Sequence, residues 1–186
     1  MAIVLDGTNG VTTNSGTLIS ASTIGVGGAT PSTSGAGITF PATQSASTDA
    51  NTLDDYEEGT WTLGMTIGGS ATGITFGNRV ATYTKIGRQV TITFGFNLTS
   101  KGSNSGNIEL NGLPFTSFDP AAFGDCVVSF GYSDSTNLAA SPIMGLVARG
   151  TTTMSPRKMS GGNTSILTNT DINNGSAFIG SATYFV

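Results

Sequence analysis

The stretch VTITFGFNL at residues 90–98 alternates strictly between two kinds of side chain. Every even-numbered position, from Val90 to Leu98, is apolar, and every odd-numbered position is small or polar. Successive side chains of a β-strand point to opposite faces of the sheet, so this period of two predicts a strand with one buried face and one solvated face. We therefore expect an antiparallel sheet protein.

The preceding segment, VATYTK at residues 80–85, predicts a partner strand for it. Gly87 lies in the short link between the two and would supply the backbone conformation that a tight turn needs, so residues 79–98 are predicted to form one hairpin. About eight strands at this spacing are typical of a β-sandwich, a jelly roll or a barrel. The other strands are predicted at residues 61–67, 107–110, 126–132, 143–149, 164–167 and 177–186.

The composition also favours sheet over helix. Charged residues make up 10% of the 186 residues, compared with roughly 25% in typical soluble domains. Polarity comes instead from Thr, Ser and Asn, and 27 residues are Gly. Thr is favourable in strands, while Ser, Asn and Gly favour turns. The expected fold class is all-β.

The first fifty or so residues differ in composition from the rest of the chain. Between residues 1 and 52 only Asp6 and Asp49 are charged, and isolated aliphatic residues are scattered among Gly, Thr, Ser and Ala. Such a segment cannot bury enough apolar surface alone to offset the entropy of ordering it. It is either a disordered tail or an extended low-complexity arm that orders on assembly, and we favour the arm. The predicted organisation is an arm at residues 1–52 and a β-sandwich or jelly-roll-like head at residues 53–186.

Charge and hydropathy exclude several partners. The net charge is −4 with only seven Lys and Arg, so no basic groove for nucleic acid is expected. No apolar run is long enough to insert into a membrane, and the N-terminus MAIVLDGTNG lacks the basic region of a secretion signal, so synthesis in a cytoplasm is expected. Cys126 lies in an apolar run and is predicted to be a buried, inert thiol.

Four carboxylates surround the start of the predicted head, in LDDYEEGTWT at residues 53–62, which also holds the only tryptophan. A catalytic interpretation is weak, because the chain has no histidine and a glycosidase pair needs a second acid facing the first. Asp119, Asp125 or Glu109 would have to supply that acid. No phosphate-binding glycine loop is present either, so we predict no enzyme activity and no cofactor.

A cation site is the second alternative for these acids. Their spacing does not match the calcium loop in which acids alternate before a glycine and a distal glutamate. We favour a structural joint, in which the acids accept hydrogen bonds from backbone amides or from Lys85, Arg88 or Arg79 and Trp61 packs where strands meet. The predicted interface or joint residues are Asp54, Asp55, Tyr56, Glu57, Glu58, Trp61, Tyr83, Lys85 and Arg88.

The YTKIGR turn at residues 83–88 permits two interpretations. Its basic and aromatic side chains would suit a glycan or an acidic polymer, but we favour packing of Tyr83 and Ile86 and pairing of the cations with the acids. If a surface contacts another organism, turn-rich loops are better candidates for it. These loops are predicted at residues 100–105, 133–141 and 155–162.

Several motifs occur together in this chain: ITFPATQSASTDANTLDDYEEGTWT at residues 38–62, YTKIGRQVTI at 83–92, GLPF at 112–115 and SATY at 181–184. With these motifs, residues 38–186 resemble the C-terminal modules of tail-fibre and related virion surface proteins of tailed bacteriophages. The opening MAIVLDGTNGVTT also looks like the start of such proteins. One departure is Leu63, which stands where the family often has proline.

The resemblance implies a non-enzymatic virion structural protein, exposed on the particle and forming a homotrimer. Its arm at residues 1–52 would dock on other virion proteins of the tail or capsid, and its head would contact a host surface glycan or protein. The alternative is a capsid decoration or cement protein, whose arm threads between capsid subunits to stabilise the phage head. Both alternatives place the protein on the virion surface after synthesis in the host cytoplasm.

Overall fold

A computed structural model describes residues 23–44, 46–120, 125–138 and 141–186. Strands, turns and irregular segments account for all of these residues, and no helix occurs among them, which confirms the all-β prediction. Consequently no helix that could span a membrane is found in the described ranges. The chain divides into two compact units, Met1–Ala46 and Ser47–Val186.

The first unit contains one short parallel strand pair. Strand β1 (Thr23–Gly25) pairs with β2 (Gly37–Thr39), and the amide of Val26 donates to the carbonyl of Thr39 at 3.0 Å. The aliphatic residues of this pair, Ile24 and Ile38, are 45% and 58% exposed. The described part of this unit therefore has little core, as expected for small residues with scattered aliphatics.

The second unit is one antiparallel sheet of ten strands. Nine of them follow the order β3-β5-β6-β12-β8-β9-β10-β7-β4, and β11 pairs with β10 outside this path. The strands are β3 (Tyr56–Thr60), β4 (Gly64–Ile67), β5 (Ile74–Ile86), β6 (Gln89–Lys101), β7 (Ile108–Asn111), β8 (Cys126–Thr136), β9 (Ile143–Val147), β10 (Thr153–Ser160), β11 (Asn163–Ile166) and β12 (Ile172–Phe185).

The sheet curls, and the two ends of its strand order come close together. Strands β3 and β4 lie at opposite ends of the strand order, yet only residues 61–63 join them. Four Cα–Cα steps separate Thr60 from Gly64, so these edges lie within about 15 Å of each other. The predicted head is thus a single curled antiparallel sheet around a central core, closer to a barrel than to two separate sheets.

Strand β6 has the burial pattern that its sequence predicts. Its even-numbered residues face the core, where Val90 and Ile92 are fully buried and Phe94 is 3% exposed. Burying one such side chain contributes roughly 1.5–3 kcal/mol. Strand β12 pairs with β6 on one side and with β8 on the other, so the core is built on these three strands.

The predicted hairpin is present but longer than expected. Strand β5 begins at Ile74, and the turn to β6 consists of Gly87 and Arg88, with Gly87 at a φ of 54°. Register shifts between Thr75 and Arg79 interrupt the alternation of side chains in the first half of β5. A bulge moves the sequence pattern out of phase, so the period-two signal is lost there.

Five sequence predictions are corrected by the structure. Residues 61–67, predicted as one strand, form the whole β3–β4 link (61–63) followed by β4 (64–67). Cys126, predicted to be buried, is half-buried. Much of the predicted loop at 133–141 belongs to β8, which extends to Thr136 because its exposed face tolerates Ser and Asp. The predicted loop at 155–162 is mostly β10, which was missed because Pro156 interrupts the strand signal. The loop predicted at 100–105 begins only after Lys101, where β6 ends.

Candidate functional site

The acidic segment lies on β3, at one end of the strand order, where β3 pairs with β5. The register sets Glu57 opposite Lys85, Glu58 opposite Thr84 and Gly59 opposite Tyr83. Neighbouring acids therefore point to different faces of the sheet: Glu57 faces the interior and Glu58 faces solvent. We call this region, from Asp54 to Trp61 with its contacts on β5, the acidic joint.

A buried ion pair is the centre of the acidic joint. The ammonium of Lys85 donates to the carboxylate of Asp55, and the two residues are only 3% and 4% exposed. The carbonyl of Asp55 also accepts the amide of Gly87 at 2.9 Å, which ties the segment to the hairpin turn. Above the pair, the Phe115 ring centre lies 5.6 Å from Lys85 Nζ. Removing one partner of such a pair leaves an uncompensated buried charge.

Tyr83 holds the second inward-facing acid. Its hydroxyl donates to Glu57, and this hydrogen bond, with a smaller contribution from burial, raises the pKa of Tyr83 to about 12. Phe115 meets the Tyr83 ring edge-on, with ring centres 5.3 Å apart. Gly59 lies opposite Tyr83, and a Cβ at position 59 would lie 2.7 Å from the tyrosine ring. Only glycine at position 59 therefore leaves room for the Tyr83 side chain.

The remaining two acids make contacts at the surface. Tyr56 donates to Glu58 on the outer face of the sheet, and this hydrogen bond raises the pKa of Tyr56. Asp54 accepts the backbone amide of Ser47 at 2.8 Å. The four acids therefore bind different partners and do not converge on one point.

Trp61 fixes the chain where β3 ends. Its backbone amide donates to Ala81 at 3.1 Å, its indole Nε1 donates to the carbonyl of Thr82 at 3.2 Å, and its ring packs edge-on against Phe94 at 6.4 Å. The side chain is half-buried against the core. Leu63, two residues later and just before β4, is fully buried.

The two arginines that we expected to meet the acids make other contacts. Arg79 Nη1 donates to the carbonyl of Leu63 at 2.6 Å, and its guanidinium lies 4.7 Å from the Phe76 ring centre. Arg88 Nε donates to the carbonyl of Val186 at 2.9 Å, and its guanidinium lies over Phe118. Ile86, expected to pack, is 48% exposed on the outer face.

The acids considered as catalytic partners lie elsewhere in the sheet. Glu109 is on β7 opposite Thr66. Asp119 and Asp125 are both near Arg149: its Nε lies 3.9 Å from Asp119, and its amide donates to Asp125 at 3.3 Å. In the ranges that the structure describes, no three His, Cys, Asp or Glu side chains are grouped in a way that could hold a metal ion.

Sequence reasoning missed a second ion pair. Asp171 is 5% exposed and accepts from Lys158 Nζ at 2.5 Å and from the amide of Thr168 at 2.8 Å. Burial raises the pKa of Asp171, but the hydrogen bonds from Lys158 and Thr168 outweigh that effect and leave the pKa below its ordinary value. The sequence TNTD marks an Asp that can close a turn on Thr168, and this signal would have identified one of the two contacts.

The chain was compared with known proteins. No family model and no curated protein matches the chain. Among solved structures, the crystal structure of the Dettilon tailspike protein matches with a TM-score of 0.55 and 14% sequence identity. The match covers 70% of this chain and 24% of the tailspike chain, so this protein corresponds to about a quarter of that length. At this level of identity, the likeness establishes the fold: the chain is similar to a part of a tailspike protein.

Proposed function

We propose that the chain is a non-enzymatic structural protein of a bacteriophage virion, a fibre-like tail appendage. The observation that carries this proposal is the fold, which over 70% of the chain is similar to part of a tailspike protein, an appendage of the phage tail. The motifs at residues 38–62 and 83–92 support the same class. In this proposal residues 1–52 dock on other virion proteins, and residues 53–186 form the β head of a homotrimer that contacts a host surface glycan or protein.

The contacts of the acidic joint support a structural role for the acids. Asp55 binds Lys85, Glu57 binds Tyr83, and Asp54 binds a backbone amide. A general acid or a nucleophile needs a free face toward a substrate, whereas Asp55 is 4% exposed beneath the hairpin. The joint thus holds β3 against β5 in this proposal, and the host-contacting surface lies elsewhere on the head.

Competition for adsorption tests the host contact. The purified full-length chain is added to host cells before the phage that encodes it, and phage adsorption is measured. Inhibition that grows with the concentration of the chain is expected for an appendage that binds the host. Two other results together would instead assign the chain to capsid stabilisation. The added chain would leave adsorption unchanged, and virions that lack the chain would lose infectivity on heating.

The role of the arm and the lack of enzyme activity need separate measurements. A phage whose chain lacks residues 1–46 is expected to assemble without the protein on its particles, as detected by immunoblotting of purified virions. Release of reducing sugar from host polysaccharide by the purified chain would contradict the non-enzymatic part of the proposal. The variant Asp119→Asn, at an exposed acid, would then test whether Asp119 takes part in that activity.

A further inference from the structure

Three side chains of the acidic joint together hold the groups that form an amide bond. Lys85 supplies an amine, Asp55 a carboxyl group and Glu57 a second carboxylate. The register sets Glu57 directly opposite Lys85, and Asp55 lies two residues before Glu57, so all three point to the inner side of the β3–β5 pair. Directly opposite residues of antiparallel strands have Cβ atoms about 5 Å apart, so Glu57 lies within reach of the contact between Lys85 and Asp55.

The amine and the carboxyl group meet where water is excluded. Lys85 and Asp55 are 3% and 4% exposed, and Lys85 donates to Asp55 beside the Phe115 ring. An amine attacks a carbonyl carbon only after it loses its extra proton, and here its own partner can accept that proton. Burial favours this transfer, because it turns two charges that water no longer solvates into two neutral groups.

The folded chain also supplies the proximity that the reaction needs. Between free molecules in dilute solution, water competes with the amine for the carboxyl carbon. Effective molarities of well-oriented groups within one molecule reach about 10⁵ M or more, far above the concentration of liquid water, and this favours the amide. The hairpin turn fixes both partners, since the amide of Gly87 donates to the carbonyl of Asp55 at 2.9 Å and Lys85 lies two residues before Gly87.

Glu57 lies where it can carry the proton that the reaction moves. Its half-buried carboxylate accepts from the Tyr83 hydroxyl through one oxygen, and the other oxygen of a carboxylate can also bind a proton. The hydrogen bond to Glu57 is the largest cause of the raised pKa of Tyr83, and repulsion from Asp55 is the smallest. Both carboxylates therefore lie near the same hydroxyl.

We propose that Lys85 and Asp55 become joined by an amide bond after the chain folds, and that Glu57 carries a proton in this reaction. The Lys85 ammonium first gives one proton to the Asp55 carboxylate. The Lys85 nitrogen then attacks the Asp55 carboxyl carbon. Glu57 takes a second proton from that nitrogen and gives it to the departing hydroxyl, so a C–N bond forms, a C–O bond breaks and one water leaves. The two charges disappear together, and no further reactant is needed.

The amide would fasten the end of the sheet. It joins β3, which lies at one end of the strand order, to its neighbour β5, so separating the two strands requires breaking a covalent bond. The reaction occurs once in each chain and acts on no outside substrate, so it needs no free face at Asp55 and is compatible with a non-enzymatic appendage. Until the amide forms, the ion pair governs the stability of the joint.

The second ion pair provides a comparison within the same chain. Lys158 donates to Asp171, but the residues registered opposite Lys158 are Ile143 and Ser165, neither of which is an acid. Thr168 also donates to Asp171, through its backbone amide at 2.8 Å and its hydroxyl at 3.1 Å, which favours the carboxylate form of this group. We therefore expect no amide between Lys158 and Asp171.

Mass spectrometry of the purified full-length chain tests the bond. We expect a fraction of the chain to be lighter by one water. This fraction should increase when the folded chain is incubated, but not when the chain is kept unfolded in urea. Trypsin does not cleave after an acylated lysine, so residues 80–88 should remain attached to the peptide of residues 1–79. Such a branched peptide distinguishes the amide from a loss of water elsewhere in the chain.

Three variants assign the roles, with circular dichroism to verify the fold of each. Lys85→Arg keeps the positive charge but removes the nucleophilic amine, so this variant should keep its full mass. Glu57→Gln leaves Lys85 and Asp55 in place but cannot carry the proton, so water loss should be about 100-fold slower or more. Lys158→Arg is the matched control and should lose water at the wild-type rate.

The wild-type chain decides the bond even if a variant does not fold. Wild type that keeps its full mass after prolonged incubation, or that loses water without the branched peptide, would overturn the proposal. Water loss that persists in folded Lys85→Arg would overturn it as well. Water loss at the wild-type rate in Glu57→Gln would overturn the role of Glu57. None of these results bears on the proposed tail appendage, which adsorption and virion assembly test separately.

Discussion

At the scale of single residues, the acidic joint depends most on the ion pair between Asp55 and Lys85. Asp55→Asn keeps the size of the side chain but leaves the Lys85 ammonium buried without its carboxylate. We expect the free energy of unfolding to fall by about 3 kcal/mol or more, measured by urea denaturation. The exposed pair of Asp119 and Arg149, 3.9 Å apart, provides the control, because Asp119→Asn should cost less than about 0.5 kcal/mol.

Replacing both partners of this pair distinguishes a buried charge from a lost contact. Asp55→Leu/Lys85→Met removes both charges at once, so no unpaired charge remains in the interior. We expect this double variant to be more stable than Asp55→Asn and within about 1 kcal/mol of wild type. Equal losses for the single and double variants would mean that the joint depends on the shape of these side chains rather than on their charges.

Tyr83 gives the joint a dependence on alkaline pH. Its pKa of about 12 in the folded protein exceeds the usual value near 10, so the folded state binds this proton more tightly than the unfolded state. The resulting stability is fully present below about pH 10 and is lost as the pH rises toward 12. Above pH 10 we expect the urea midpoint of the wild type to fall, and Tyr83→Phe should make this fall smaller. Part of the fall should remain in the variant, because burial also raises the pKa of Tyr184 to about 12.

The cause of this dependence can be separated by changing the acceptor. Glu57→Gln removes the carboxylate whose hydrogen bond raises the pKa of Tyr83. The Glu57→Gln variant should flatten the same part of the pH profile, and adding Tyr83→Phe to it should change the profile little further. Independent effects of the two substitutions would show that Glu57 does not act through Tyr83.

At the scale of elements, the sequence predicted strands whose two faces differ in polarity. Strand β6 alternates from Val90 to Leu98 because its inner face packs on the core and its outer face meets water. Strand β10 was missed because Pro156 lies within it, and the first half of β5 was missed because a bulge breaks the alternation. Local pattern therefore located regular strands and failed at the positions where pairing is irregular.

The joint could be predicted only in part for a related reason. Lys85 was one of three cations proposed to meet the acids, but which acid it meets depends on the register of β3 against β5. That register places Asp55 and Glu57 on the inner side of the strand pair and leaves Arg88 at the turn, where it binds Val186. The contact of Lys85 with Asp55 joins residues 30 apart in sequence, and that of Arg88 with Val186 joins residues 98 apart. Such contacts depend on the strand topology, which the local sequence pattern does not reveal.

Strand β12 pairs with both β6 and β8, so its loss would leave both of these strands without a partner on one side. Deleting residues 184–186 removes the fully buried Tyr184, whose hydroxyl donates to the carbonyl of Phe115 at 3.2 Å. We expect this deletion to abolish cooperative unfolding, followed by the fluorescence of Trp61. Deleting Val186 alone removes its hydrogen bonds with Arg88 and should cost about 1–3 kcal/mol. A cooperative transition in the longer deletion would show that β12 is not essential.

At the scale of the whole molecule, the two compact units differ in how much structure they can hold alone. The second unit has a ten-stranded sheet with a buried core, whereas the described part of the first has two paired strands of three residues each. Two short strands without a hydrophobic face are at best marginally stable in water. We therefore predict that the second unit folds alone, whereas the first becomes stably ordered only on assembly.

A comparison of two fragments tests this division. Residues 47–186 should unfold in one cooperative transition, with a urea midpoint within about 0.5 M of that of the whole chain, because the Asp54 contact to Ser47 and the acidic joint remain within the fragment. Residues 1–46 should show no cooperative transition, since an isolated pair of three-residue strands cannot offset the entropy of ordering the segment. If residues 47–186 were unfolded, the first unit would be part of the folding core, and an arm that orders only on the virion would be excluded.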